Sequence, residues 1–148
     1  MTLLKNMPEQ QNPQTETFTS KSSTLEMFPG VRAGIIKQIL AASDEMNIAK
    51  SLQLCTDNVV YKFGNLPMVV GKQAIKESSA GFLQNFQSIK HNIISIWESG
   101  ETIIVEMEVS YTRHDNKMFN LPCCNVFSME GDMVQDMRIY MDISPVFT

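Results

Sequence analysis

The stretch that decides the fold runs from Phe119 to Thr148 and reads FNLPCCNVFSMEGDMVQDMRIYMDISPVFT. Two segments of mixed apolar and polar residues flank Glu130-Gly131-Asp132, a polar break that contains the glycine of a tight turn. The pattern predicts a β-hairpin that forms the floor of a pocket. Alternation along its two strands predicts a nearly apolar inner face of Leu121, Cys123, Asn125, Met137, Ile139 and Met141.

The residues upstream of this hairpin predict helices followed by strands. Apolar residues recur at helical spacing in residues 31–40 and again in residues 72–86, with a short helix predicted between Ile48 and Leu54. From Ile89 onward the period changes to two, which indicates strands. The order predicts an α+β fold in which a curved antiparallel sheet of about four long strands folds over about three helices.

Composition predicts one domain and a polar tail. The chain has 148 residues, 43% of them hydrophobic, which is enough for a single core but too little for two. Residues 1–26 are rich in Gln, Thr, Ser and Asn, so we expect a disordered or loosely docked tail ahead of a domain spanning residues 27–148. The net charge of −4 and the scattered Lys and Arg argue against a nucleic-acid partner. Apolar runs are far shorter than the ~18 to 20 residues of a membrane span, so no membrane association is expected.

The cysteines and histidines predict neither a disulfide framework nor a metal site. The three cysteines are odd in number, and Cys123 and Cys124 are neighbours, which favours free thiols and a cytoplasmic location. His91 and His114 share no short spacing with Cys or carboxylate ligands. Neither a metal nor a cofactor is therefore expected.

Four short motifs resemble a known family when their order and spacing are taken together. They are residues 59–65 (VVYKFGN), 71–75 (GKQAI), 109–113 (VSYTR) and 137–142 (MRIYMD). Over roughly residues 30–146 the chain resembles the SnoaL-like branch of the nuclear transport factor 2 superfamily. The resemblance implies a cone-shaped sheet around helices, a mostly apolar cavity and a homodimer formed through the outer face of the sheet. It leaves the activity open, because the superfamily includes isomerases, cyclases, hydrolases and proteins without known chemistry.

The catalytic residues of two branches of the superfamily are not retained. Against the epoxide hydrolases, Glu106 and Glu108 match an inward Arg-x-Asp pair, Ile139 matches the Asp base, and Phe63 matches an Asn that holds water. Against the ketosteroid isomerases, Asn125 matches an oxyanion Asp and Tyr61 the base carboxylate. The resemblance thus carries over positions in the cavity but no complete mechanism.

Glu106 and Glu108 are the catalytic candidates, and two arguments about them disagree. The resemblance places both in the cavity, where two neighbouring carboxylates would repel each other and one pKa would rise toward that of a working acid or base. Strand alternation instead turns Ile103, Val105 and Met107 inward and leaves both glutamates in water.

Two hypotheses follow for the function. The first is a cofactor-independent isomerase, cyclase or hydrolase that acts on a small hydrophobic molecule through Glu108 or Glu106, with Tyr61 and Asn125 as hydrogen-bond donors. The second is a non-catalytic domain for ligand binding or dimerisation. In both, further ligand-binding candidates are Phe63, Leu121, Cys123, Ile139, Met141, Met137 and His91, the last at the start of a strand near the expected cavity mouth.

Overall fold

The computed structural model describes residues 30–148, which form three α-helices, six strands and a short 3-10 helix. The elements are α1 (Val31–Asp44), α2 (Ile48–Leu52), β1 (Cys55–Phe63), β2 (Val69–Val70), α3 (Lys72–Leu83), β3 (Phe86–Ser99), β4 (Thr102–Arg113), β5 (Met118–Glu130), β6 (Met133–Tyr140) and the 3-10 helix (Ser144–Phe147). The predicted tail, residues 1–26, and the first three residues of the predicted domain lie outside the described residues.

The predicted α+β architecture is confirmed, and the six strands form one curved sheet in the order β2-β1-β6-β5-β4-β3. The hairpin predicted from the closing stretch is β5 and β6, joined at Gly131, whose φ of 59° suits glycine. One pair differs from the predicted antiparallel pattern, because β1 runs parallel to β6. Register shifts in β1, β3 and β5 mark irregularities of the kind that bend strands and curve a sheet.

Helix α1 lies against β3 and is attached to it at both ends. At its N-terminus the Glu98 carboxylate accepts a hydrogen bond from the Ala33 amide at 3.2 Å, where a negative charge also suits the helix dipole. A Cβ on Gly30 would come within 2.9 Å of that carboxylate, so the close approach depends on glycine. At the C-terminus Asp44 accepts a hydrogen bond from the backbone amide of His91 at 2.9 Å.

Further hydrogen bonds hold α1 to two turns and the start of α3 to β1. Arg32 donates to the carbonyls of Gly100, at 2.6 Å, and Gly131, which joins α1 to the turns after β3 and β5. Helix α3 follows Gly71, whose φ of 91° favours glycine and whose amide donates to the Val59 carbonyl at 2.8 Å. The helices are thereby held over the concave face of the sheet.

The inner face of the sheet and the helices share one hydrophobic core. Inward residues of β4 are fully buried, with Ile103, Val105, Met107 and Val109 at no more than 1% exposure. The core also includes Ile36 of α1 and Val146 of the closing 3-10 helix. Arg113 holds that last segment by donating to the carbonyls of Val146 and Thr148. Within residues 30–148, no helix combines the length and apolar character required to cross a membrane.

Candidate active site

A cavity lies between the helices and the concave face of the sheet, with a volume of about 110 Å³. Its lining is mostly apolar and aromatic, with a few polar groups, which is typical of small-molecule sites. The lining residues are Ile39, Leu40, Ser43, Ile48, Tyr61, Phe63, Ser79, Phe82, Leu83, Ile89, His91, Val109, Tyr111, Cys123, Asn125, Phe127, Met137 and Ile139. Ile48 and Leu83 also line an outer groove between α2 and α3.

The structure brings seven of the predicted site residues together in this cavity. They are Tyr61, Phe63, His91, Cys123, Asn125, Met137 and Ile139. Leu121 and Met141 are not among the lining residues. Leu121 packs half-buried against the core, and Met141 accepts a hydrogen bond from the Tyr111 hydroxyl through its sulfur at 3.4 Å. Both side chains face inward but lie beyond the limits of the cavity.

The placement of Glu106 and Glu108 inside the cavity is wrong. Both side chains are exposed and lie on the outer face of the sheet beside Ile94, Pro122 and Tyr140. Their neighbours Val105, Met107 and Val109 point inward, as strand alternation predicts. Both glutamates therefore keep their hydration and do not reach the cavity.

The structure instead provides a histidine–aspartate pair at the cavity wall. His91 Nδ1 lies 2.6 Å from Asp44 Oδ1, and the His91 backbone amide donates to the same oxygen at 2.9 Å. The His91 and Asp44 side chains are 14% and 27% exposed. A neutral imidazole whose Nδ1–H donates to a carboxylate carries its lone pair on Nε2. In that tautomer His91, which lines the cavity, is a proton acceptor at Nε2, and its ring is held by the contact between Nδ1 and Asp44.

Uncharged donors occupy other parts of the lining. Burial raises the pKa of the Tyr61 and Tyr111 phenols, and the neighbouring Cys123 adds to the effect, so both phenols keep their protons. Tyr61 lines the cavity, and its protonated hydroxyl can donate to a ligand there. Burial also raises the pKa of the Cys123 thiol to about 12, and this thiol donates to Asn125 Oδ1 at 3.2 Å. That bond directs the Asn125 amide so that its NH₂ group remains free to donate.

Asp44 is not among the site residues that the sequence predicted. Asp44 is the last residue of α1, where a carboxylate opposes the helix dipole. An acidic residue at this position is a signal that it has a partner elsewhere, although the signal does not identify His91. In the described part of the chain, no group of three or more His, Cys, Asp or Glu residues could hold a metal ion.

Comparison with known families agrees with the fold. Residues 36–137, more than half of the chain, match the family model of the SnoaL-like domain. The chain belongs to this SnoaL-like family. No curated protein matches the sequence.

Solved structures share the fold of this SnoaL-like chain at low sequence identity. TerC, co-crystallised with polyporic acid, is 15% identical with a TM-score of 0.70, and the match covers 78% of this chain and 95% of TerC. An NTF2-like protein of unknown function from Burkholderia pseudomallei is 12% identical with a TM-score of 0.73, covering 80% and 96%. An LEH-like epoxide hydrolase of M. tuberculosis is 15% identical with a TM-score of 0.67, covering 78% and 86%. At these identities the similarity establishes the fold, and the chemistry must be argued from the site.

Proposed function

We propose that this protein is a cofactor-independent enzyme that moves a proton next to the carbonyl of a small hydrophobic molecule, with His91 as the base. The observation that carries the proposal is the 2.6 Å contact between His91 Nδ1 and Asp44 Oδ1 at the wall of a mostly apolar cavity. A base in this position has its tautomer fixed and its charged form stabilised by the carboxylate.

The reaction begins when a substrate carbonyl accepts hydrogen bonds from the Tyr61 hydroxyl and the Asn125 NH₂ group. His91 Nε2 then takes a proton from the carbon next to the carbonyl. The electron pair of that C–H bond forms a C=C bond to the carbonyl carbon, and the π pair of the carbonyl moves to its oxygen to give an enolate. Tyr61 and Asn125 stabilise the oxygen charge, and Asp44 stabilises the imidazolium. Return of the proton to a different carbon gives an isomer, whereas attack of the enolate carbon on a second carbonyl closes a ring. The class is therefore isomerase or cyclase, and the base differs from the glutamates considered first.

Deuterium exchange tests this proposal without knowledge of the natural substrate. The purified full chain is incubated in D₂O with 3-methyl-2-cyclohexen-1-one, and loss of the exchangeable C–H signals is followed by proton NMR. We expect faster exchange than in buffer, a fall to the buffer rate in His91→Gln, and an unchanged rate in Glu108→Gln, whose side chain is exposed on the other face. An exchange rate that survives in His91→Gln would show that His91 is not the base.

A second candidate function is ligand binding without catalysis. It is favoured by the exposure of Glu106 and Glu108, which leaves the cavity without the carboxylates that the first hypothesis required. In the same experiment this function predicts chemical-shift changes for the cavity residues on addition of the ketone but exchange at the buffer rate. The two functions thus differ in whether the deuterium exchange rate exceeds the rate in buffer.

We also propose that a second copy of this chain covers the outer face of the sheet, in a cytoplasmic setting that keeps the three free thiols reduced. Large apolar side chains are exposed on this face, with Ile94 at 63%, Met118 at 62% and Tyr140 at 58%. Sedimentation velocity of the wild type and of Ile94→Lys is the test. A dimer in the first and a monomer in the second are expected, and a wild-type monomer at 100 µM, roughly the level for weak association, would refute the pairing.

A further inference from the structure

Aromatic rings converge on Phe82 at one side of the cavity. Its ring centroid lies 5.7 Å from that of Phe63, 5.1 Å from Phe86, 6.2 Å from Tyr111 and 6.4 Å from Phe147. Phe63 and Tyr111 line the cavity together with Phe82, whereas Phe86 and Phe147 do not. Phe82 therefore forms the wall that separates the cavity from the two rings behind it.

The volume of the cavity limits the size of the ligand that it can hold. An engineered apolar cavity of ~150 Å³ in another protein binds benzene, and the cavity here has about 110 Å³. A single six-membered ring is thus the largest group that fits with small adjustments of the side chains. A second fused ring needs more room than this volume provides, and on the side toward Phe86 and Phe147 that room is closed by the Phe82 ring. Overpacking of this kind is costly in a close-packed interior.

The charge of the lining limits the ligand further. In the part of the chain that the structure describes, no lysine or arginine lines the cavity, and its polar groups are phenols, hydroxyls, a thiol, an amide and the imidazole. A carboxylate or phosphate would lose its hydration here without gaining a cation. Flat rings on several sides instead favour a planar group, which stacks or packs edge-on.

We infer that Phe82 sets the size limit of this site, and that the substrate is an uncharged, planar ketone with one ring. The inference rests on the proposed function for the carbonyl, but the size limit itself depends on the cavity alone. It assigns Phe82 the role of a specificity-determining residue that contacts the ring of the substrate without taking part in proton transfer.

Titrations followed by ¹H–¹⁵N NMR of the full chain test the size limit. Three probes are compared: 3-methyl-2-cyclohexen-1-one with one ring, 1-tetralone with two fused rings, and 1-cyclohexene-1-carboxylate with one ring and a negative charge. We expect the wild type to bind the one-ring ketone at least about tenfold more tightly than 1-tetralone and than the carboxylate. Phe82→Leu should bring the affinity for 1-tetralone to within about threefold of that for the one-ring ketone.

The matched control is Phe86→Leu, which removes a ring 5.1 Å from Phe82 but outside the lining. It should keep the wild-type preference, and the spectra report whether each variant is folded. The inference is overturned if the wild type binds 1-tetralone or the carboxylate as tightly as the one-ring ketone, if it binds none of the probes, or if Phe86→Leu changes the preference as much as Phe82→Leu. If the one-ring ketone binds selectively but His91→Gln still exchanges deuterium, the size limit stands and the proposed function fails.

Discussion

The Asp44→Asn variant tests the charge of the Asp44 carboxylate separately from its hydrogen bonds. Both the backbone amide and Nδ1 of His91 reach the same oxygen, Oδ1, at 2.9 and 2.6 Å. An asparagine can offer its own Oδ1 in that position and keep both hydrogen bonds as neutral ones. The variant therefore removes the charge and leaves the connectivity, whereas Asp44→Ala removes the acceptor as well.

The magnitudes follow from this geometry. A hydrogen bond to a charged group contributes ~1.5–3 kcal/mol and a neutral one ~0.5–1.5 kcal/mol, so two bonds that lose charge assistance cost about 2–3 kcal/mol before screening. Because the Asp44 side chain is 27% exposed, water screens part of this, and we expect Asp44→Asn to lower the free energy of unfolding by about 1 kcal/mol. Asp44→Ala leaves two His91 donors without an acceptor and should cost about 2–4 kcal/mol.

The exchange rate should respond more strongly than the stability. Without the carboxylate the imidazolium loses a close opposite charge. If the transition state thereby loses ~1.4–2.8 kcal/mol of stabilisation, deuterium exchange slows roughly 10- to 100-fold. Urea unfolding measures the stability of each variant, and the NMR assay with 3-methyl-2-cyclohexen-1-one measures the rate. The reasoning is refuted if Asp44→Asn exchanges within about twofold of the wild-type rate. It also fails if Asp44→Asn and Asp44→Ala lose the same stability, since the shared oxygen would then not hold both bonds.

Four further predictions concern the outer face, the thiols and the closing segment. Glu106→Gln and Glu108→Gln should each change the free energy of unfolding by less than ~0.5 kcal/mol in urea titrations, because both side chains are exposed. At pH 8.5 iodoacetamide should modify Cys124 well before Cys123, whose burial raises the pKa to about 12, as peptide mass mapping over time will show. The folded Cys123 thiol keeps its proton, whereas the unfolded thiol ionises from pH 9. The contribution of Cys123 to stability is therefore complete below pH 9 and is lost as the pH rises toward 12. Over this range the free energy of unfolding should fall less in Cys123→Ala than in the wild type. Val146→Ala, at a side chain 1% exposed, should cost about 2 kcal/mol in thermal or urea unfolding, and a change below ~0.5 kcal/mol would show that the closing segment does not contribute to the core.

Strand faces were predictable from the sequence because a period of two fixes them locally. In β4 the alternation correctly turned Val105 and Met107 inward and both glutamates outward. The closing hairpin was also predictable from the sequence, because Gly131 supplies the positive φ of its turn. Alternation gives the face of a strand but not how far along it a cavity extends, which is why Leu121 and Met141 face inward without lining the cavity.

Contacts between distant segments were not predictable. The parallel pairing of β1 with β6 leaves no trace in the period of either strand. Asp44 and His91 are 47 residues apart, and their meeting depends on the placement of α1 along β3. The resemblance placed Glu106 and Glu108 in the cavity although both are exposed, because a shared fold does not fix which element carries the polar side chains of a site.

The double contact of Asp44 also affects the solubility of the protein. β3 is an edge strand of 14 residues, and exposed edges can recruit strands from other chains. The backbone amide of His91 points away from the sheet and donates to the Asp44 carboxylate. The carboxylate therefore blocks one of the hydrogen-bond donors that an incoming strand would use. Aggregation of an Asp44→Ala sample would therefore have a local cause, and losses of activity in that variant should be read only at concentrations where it remains dispersed.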